Sequence, residues 1–114
     1  QSARETEPED EEVWLEPEIF SPDHDGTDDY LHINYAFEEG GNAATVVIYN
    51  SEGREMRILE NNTLLGAEGS IKWDGLFEDG SRMRPGIYMI YFKIFRTDGT
   101  VELYKKVVTL AVKY

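Results

Sequence analysis

The residues best equipped for chemistry lie in one short stretch, Ser21-Pro22-Asp23-His24-Asp25-Gly26-Thr27-Asp28-Asp29. Asp23, Asp25 and Asp29 fall at i, i+2 and i+6, with Asp28 beside them. Alternating carboxylates on a curved loop can give a hard cation the several oxygens it needs at ~2.3–2.6 Å. Gly26 would let such a loop turn sharply. The D-x-D-G spacing is shared with the middle of an EF-hand loop, but the closing bidentate Glu is missing. Asp23, Asp25, Asp28 and Asp29 are therefore a candidate Ca²⁺ site. The alternative is a polar turn whose Asp side chains accept nearby backbone N–H groups. His24 reads as an exposed loop residue.

Other chemistry finds little support in the residues. His24 and His32 are the two histidines, and there is no cysteine. Thiol nucleophiles, thiolate metal sites and disulfides are thus excluded. Ser21, Ser51, Ser70 and Ser81 lie in turn-like segments without a nucleophile elbow. No Gly-rich phosphate loop joins a strand to a helix. The expectation is a protein that is not an enzyme. Trp73, followed by Asp74-Gly75, has two readings: a stacking platform for sugars, or a core residue alternating with Ile71. The second fits its strand context better. Tyr88, Tyr91 and Tyr104 sit among other apolar residues, so interior or sheet-face packing is expected. Lys105 and Lys106 are adjacent on a strand and point to opposite faces, so they form no patch.

The elements that must position these groups read as strands. Tyr30 to Phe37 alternates, with Leu31, Ile33, Tyr35 and Phe37 on one face, and period two is the strand signal. Ala44 to Asn50 is a second run. Ser51-Glu52-Gly53 separates it from Arg54 to Leu59, where Met56 and Ile58 are expected on one side, giving a hairpin. Asn61 to Gly69 reads as a loop. Ile71 and Trp73 mark a short strand. Asp74-Gly75, Asp79-Gly80 and Arg84-Pro85-Gly86 are turn signals. Ile87 to Arg96 is apolar on both faces, which suits a central strand. Thr97-Asp98-Gly99-Thr100 predicts a type I′ hairpin turn into a return strand from Val101 to Val112. Val13 to Phe20 supplies one more strand, which Pro17 limits to an edge or a bulge. About seven strands without a sustained helical period imply two packed antiparallel sheets. The expected fold is all-β, an immunoglobulin-like antiparallel sandwich. The strand count and a long connection from Leu59 to Ile71 favour it over a barrel.

Composition agrees with a single domain. The chain has 114 residues, 40% hydrophobic, with a formal net charge of -12. Lys and Arg total 11 against 23 acids, so the basic footprint of a nucleic-acid binder is absent. No apolar run approaches the ~20 residues of a membrane-spanning helix. Residues 1–18 hold eight acids and one base, so -7 of the charge lies there and -5 in the other 96 residues. Gln1 to Glu12 has no large apolar side chain to offset ordering at roughly 1–2 kcal/mol per residue. Residues 1–12 are read as an acidic linker or tail, and 13–114 as the folded domain. Gln1 is not a start methionine, and the chain reads as a piece of something longer.

The motifs in order resemble a known group. Phe20-Ser-Pro-Asp-His-Asp-Gly-Thr-Asp-Asp-Tyr30 is similar to the F-S-P-D-G-D-G-x-x-D opening of bacterial cell-surface C-terminal domains. Ile48-Tyr-Asn-Ser-Glu-Gly-Arg54 is similar to their I-x-D-x-x-G-R hairpin. Trp73-Asp-Gly75, Asp79-Gly80 and Pro85-Gly86-Ile87-Tyr88 are similar to their W-D-G…D-G…P-x-G-x-Y pattern. Together they resemble FlgD-type Ig-like domains and the gliding-motility-associated or type IX secretion C-terminal modules of Bacteroidetes, from about Leu15 to Tyr114. His24 stands where the group often has Gly, and Lys113-Tyr114 ends the chain without a long basic tail. The resemblance implies a structural module of an exported protein, extracellular or at the surface of a Gram-negative cell. Its work would be spacing, surface presentation, secretion or docking, with secretion components or neighbouring domains as partners. A carbohydrate-binding accessory module, calcium-assisted and with a glycan partner, is the alternative. The shared motifs also have physical roles. Gly75, Gly80 and Gly86 permit turns, Pro85 fixes φ before a strand, and Trp73 and Tyr88 supply large buried area.

Overall fold

The computed structural model describes residues 12–22 and 29–111. They form eight strands: β1 (Val13–Glu16), β2 (Ile19–Phe20), β3 (Leu31–Ala36), β4 (Asn42–Asn50), β5 (Glu55–Leu65), β6 (Glu68–Trp73), β7 (Gly86–Phe95) and β8 (Val101–Leu110). One sheet has the order β1-β3-β6 and the other β2-β8-β7-β4-β5. All pairings are antiparallel except β2 with β8. The two sheets pack as an immunoglobulin-like sandwich, and no helix occurs among the described residues.

Period-two alternation explains the core. Leu31, Ile33 and Tyr35 of β3 are buried and face Ile90, Phe92 and Ile94 of β7, together with Val46 and Ile48 of β4 and Val108 of β8, across one contiguous cluster. Tyr35, Phe37 and Phe92 pack as an aromatic group with centroids 5.6–6.2 Å apart. Strand β7 is central, hydrogen-bonded to β4 on one side and β8 on the other. Its inward residues are buried, whereas on the outward side Ile87, Lys93 and Phe95 are exposed and Met89 and Tyr91 half-buried.

Four expectations are corrected. The first concerns Val13 to Phe20, which is two strands. Pro17, which follows a cis peptide bond, lies between β1 at the edge of one sheet and β2 at the edge of the other. Proline's missing N–H suits a break of this kind.

The second concerns Asn61 to Gly69, which is mostly strand. Thr63, Leu64 and Leu65 pair with Ala44, Ala43 and Asn42, and β6 already begins at Glu68. Asn62 takes φ 56°, and its N–H donates to Thr45 Oγ1 at 3.0 Å. That local bulge absorbs the polar residues without ending the strand. The long connection from Leu59 to Ile71 therefore shrinks to Gly66-Ala67, which carries the chain from one sheet to the other.

Third, Met56 and Ile58 do not share a face. Met56 packs against the core and Ile58 is exposed. Register shifts between β4 and β5 change the side-chain parity there.

The fourth is the Thr97–Thr100 turn, which is not type I′. Gly99 has φ 91°, while Asp98 is not among the residues with positive φ. Gly99 N–H donates to Arg96 O at 2.9 Å, and Arg96 N–H to Thr100 O at 2.8 Å. This is a type I turn followed by a left-handed glycine, the three-residue hairpin loop. The same bonding recurs at Asn50–Arg54 and at Phe77–Ser81, with Gly53 at φ 86° and Gly80 at φ 90°.

Candidate functional site

The W-D-G…D-G…P-x-G-x-Y residues converge at one end of the sandwich, where β6 leaves and β7 begins. Trp73 is 1% exposed, its ring 5.4 Å from Phe20 and 5.6 Å from Tyr88. Its indole N–H donates to Leu76 O at 3.2 Å, and Arg57 Nη1 donates to the same carbonyl at 2.8 Å. Asp74 Oδ1 accepts from Leu76 N–H and from Arg57. Gly75 has φ 79°, and a Cβ there would sit 3.0 Å from Pro22 and 3.2 Å from Leu110. Both its conformation and its crowding therefore favour glycine. Tyr88 donates its hydroxyl to Arg84 O at 2.6 Å, in the manner of a tyrosine corner. Burial pushes that phenol above its ordinary pKa. Pro85 is exposed and immediately precedes β7, and Gly86 opens that strand opposite Leu110.

These residues hold the end of the sandwich closed and leave no stacking platform. A sugar cannot lie on an indole enclosed by Phe20 and Tyr88, so the platform reading of Trp73 is overturned.

The acidic stretch is only partly described. Asp23, His24, Asp25 and Asp28 lie outside the described residues, and Asp29 stands just before β3. Among the described residues, no three His, Asp or Glu side chains gather as a metal would require. His32 lies on β3 opposite Lys72.

A polar cluster missed in the sequence joins the residue before β1 to the β7–β8 hairpin. Arg96 Nη2 donates to Glu12 Oε1 and to Glu102 Oε1, each at 2.6 Å. Tyr104 also donates to Glu12. The Arg96 guanidinium lies 5.8 Å from the Phe37 ring centre. Burial pushes the Glu12 carboxyl up, but the bonds from Arg96 and Tyr104 outweigh it and hold the carboxyl below its ordinary pKa. Burial and the Glu12 carboxylate push the Tyr104 phenol up. Nothing in the spacing of Glu12 and Arg96, 84 residues apart, signals the contact.

The outer face of the five-stranded sheet is the large open surface. In register it carries Tyr49, Met89 and Val107 in one row, Val47, Tyr91 and Lys105 in the next, then Thr45, Lys93 and Leu103. Ile87 is 54% exposed, Val107 58% and Leu103 44%. Exposed apolar side chains gathered on one sheet face are a feature of interaction sites. Tyr49 and Tyr91 pack with centroids 4.6 Å apart. Lys105 Nζ lies 5.5 Å from the Tyr91 ring centre, and Lys93 Nζ 5.3 Å from that of Phe95. Tyr91 thus packs on a sheet face, as expected.

Comparisons with known proteins follow the same lines. FlgD from P. aeruginosa is similar in structure, with TM-score 0.55 and 18% identity, over 71% of this chain and 62% of that one. PorZ, described as a bacterial surface component of the type IX secretion system of Porphyromonas gingivalis, aligns with TM-score 0.48 and 23% identity. That alignment covers 84% of this chain and 11% of PorZ. The chain thus spans less than two thirds of either structure. At these identities the FlgD likeness speaks to fold alone. Among curated proteins, none matches by sequence. The model of one family, described as the CHU_C type IX secretion signal domain, matches residues 15–110. That span runs from β1 to the last residue of β8 and takes in both sheets and the closed end, so the chain belongs to the CHU_C type IX secretion signal domain family.

Proposed function

We propose that this chain is a non-enzymatic module through which a larger exported protein is secreted and presented at the surface of a Gram-negative cell. The family match over residues 15–110 carries the reading. The architecture supports it. The sandwich has its own core, and its buried aromatics and turn glycines serve packing. Among the described residues, its open surface is a sheet face. Such a body acts by being recognised. Its partners are components of the secretion machinery and the neighbouring domains of the parent protein. The division into an acidic segment over residues 1–12 and a folded body over 13–114 belongs to the same proposal.

The test is a fusion. A fluorescent reporter with a standard export leader is joined ahead of this chain in a bacterium that has a type IX system. The reading predicts reporter at the cell surface or in the medium, and loss of that signal when the secretion system is deleted. Reporter held in the periplasm of the intact strain would overturn it.

A further inference from the structure

We propose that the outer face of the five-stranded sheet docks a partner protein through a surface of apolar side chains interspersed with carboxylates. The charge on this face runs against the rest of the molecule. The chain has 23 acids and 11 Lys and Arg. Yet the outward positions of β4, β7 and β8 carry Lys93 and Lys105 and no acid. The acid nearest in register, Glu55 opposite Tyr49, stands on the edge strand β5.

The two lysines are diagonal neighbours, because Lys93 is opposite Leu103 and Lys105 opposite Tyr91. Like charges so placed repel. Each ammonium is held over an aromatic ring, at 5.3 and 5.5 Å. Holding their stems against the sheet leaves the charged heads within the apolar surface rather than away from it. A partner's carboxylates would relieve the repulsion, while its apolar groups would cover Ile87, Leu103 and Val107.

Other occupants fit less well. The segment Gln1–Glu12 could neutralise the lysines, but it has no large apolar side chain to cover the face. A second copy presenting the same face would bring no carboxylate to the lysines, since the outward positions of β4, β7 and β8 hold none. An anionic bilayer would meet a chain of net charge -12. The inference rests on the docking-module reading above, and its test is separate from export.

The experiment is an amide NMR titration of the full chain with two eight-residue probes, one alternating Leu and Glu, the other Leu and Lys. The expected result is binding of the Leu/Glu probe, with shifts confined to outward residues of β7 and β8. The Leu/Lys probe should bind weaker by about five- to ten-fold, the size expected for two exposed ion pairs. Overall charge predicts the opposite preference, so nonspecific attraction cannot mimic the result. The K93E/K105E double variant should reverse the preference, and K93R/K105R should keep it. Four results would overturn the proposal: equal or tighter binding of the Leu/Lys probe, shifts off this face, probe-free shifts that grow with protein concentration, or a response to phosphatidylglycerol vesicles but not to the Leu/Glu probe. Reporter export without Leu/Glu binding would sink this inference and leave the secretion reading intact.

Discussion

Replacing Trp73 by alanine tests the claim that the family motif is a packing device. The indole is 1% exposed and fixed between Phe20 and Tyr88. A ring of this kind buries ~150–250 Å², or roughly 4–6 kcal/mol at ~25 cal/mol per Å², an upper bound. The cavity cannot close easily, because the Arg84 carbonyl anchors Tyr88 through its hydroxyl. The expected loss is about 3–5 kcal/mol, against the ~5–15 kcal/mol that holds a domain together. In a thermal melt followed by far-UV circular dichroism, the midpoint should fall by roughly 15–30 °C. Trp73→Phe separates volume from hydrogen bonding. It removes the indole N–H, yet Leu76 O keeps its bond from Arg57 at 2.8 Å, so no buried carbonyl is orphaned. That variant should lose only about 1–2 kcal/mol. A W73A melt that overlays the parent, or a W73F loss as large as that of W73A, would refute the packing argument.

Three other substitutions or conditions probe separate parts of the account. Gly69 faces Tyr35 in register, and an added Cβ would collide with the ring, 2.8 Å from Cζ. Gly69→Ala should therefore cost about 1–3 kcal/mol in urea unfolding, and Tyr35→Phe in the same chain should recover part of it. Glu12 is charged more readily in the folded state, so its contribution is present above its ordinary pKa and is lost as pH falls through the lowered folded value. Glu12→Gln should lower stability by less than about 1 kcal/mol at neutral pH and flatten the decline below the ordinary carboxylate range; parallel acid melts of the two proteins check this. If Asp23, Asp25, Asp28 and Asp29 hold Ca²⁺, the melting midpoint rises with added Ca²⁺ and falls in chelator, whereas a simple polar turn leaves the two melts superimposed.

The strands with clean alternation were legible because one face of each is buried. Tyr30 to Phe37 shows this directly, and β3 lies there; Ile87 to Arg96 was legible from apolar residues on both faces, and the central strand β7 lies there. The limits of β5 were not legible. Asn61, Asn62 and Gly66 are residues of turns, but an edge strand with a bulge tolerates them, and only pairing with Asn42–Ala44 reveals the strand. The Asp-Gly pair at 98–99 signalled a hairpin correctly and its turn type wrongly, since a single left-handed residue suffices when the loop has three residues. Trp73 and Tyr88 were readable as packing residues from their neighbours. The Lys93–Lys105 pair was hidden, because Lys105 looked like half of an adjacent pair and its true neighbour depends on β7–β8 register. The Glu12 contact with Arg96 was hidden by separation along the chain.

If the sandwich itself carries the secretion information, the acidic segment ahead of it is dispensable. The most direct measurement is surface reporter signal from two fusions in the same type IX-secreting strain, one ending in the full chain and one in residues 12–114, which retain Glu12 for Arg96. Equal surface signal is the predicted result; loss of the signal from the shorter fusion, with the domain still folded, would contradict it.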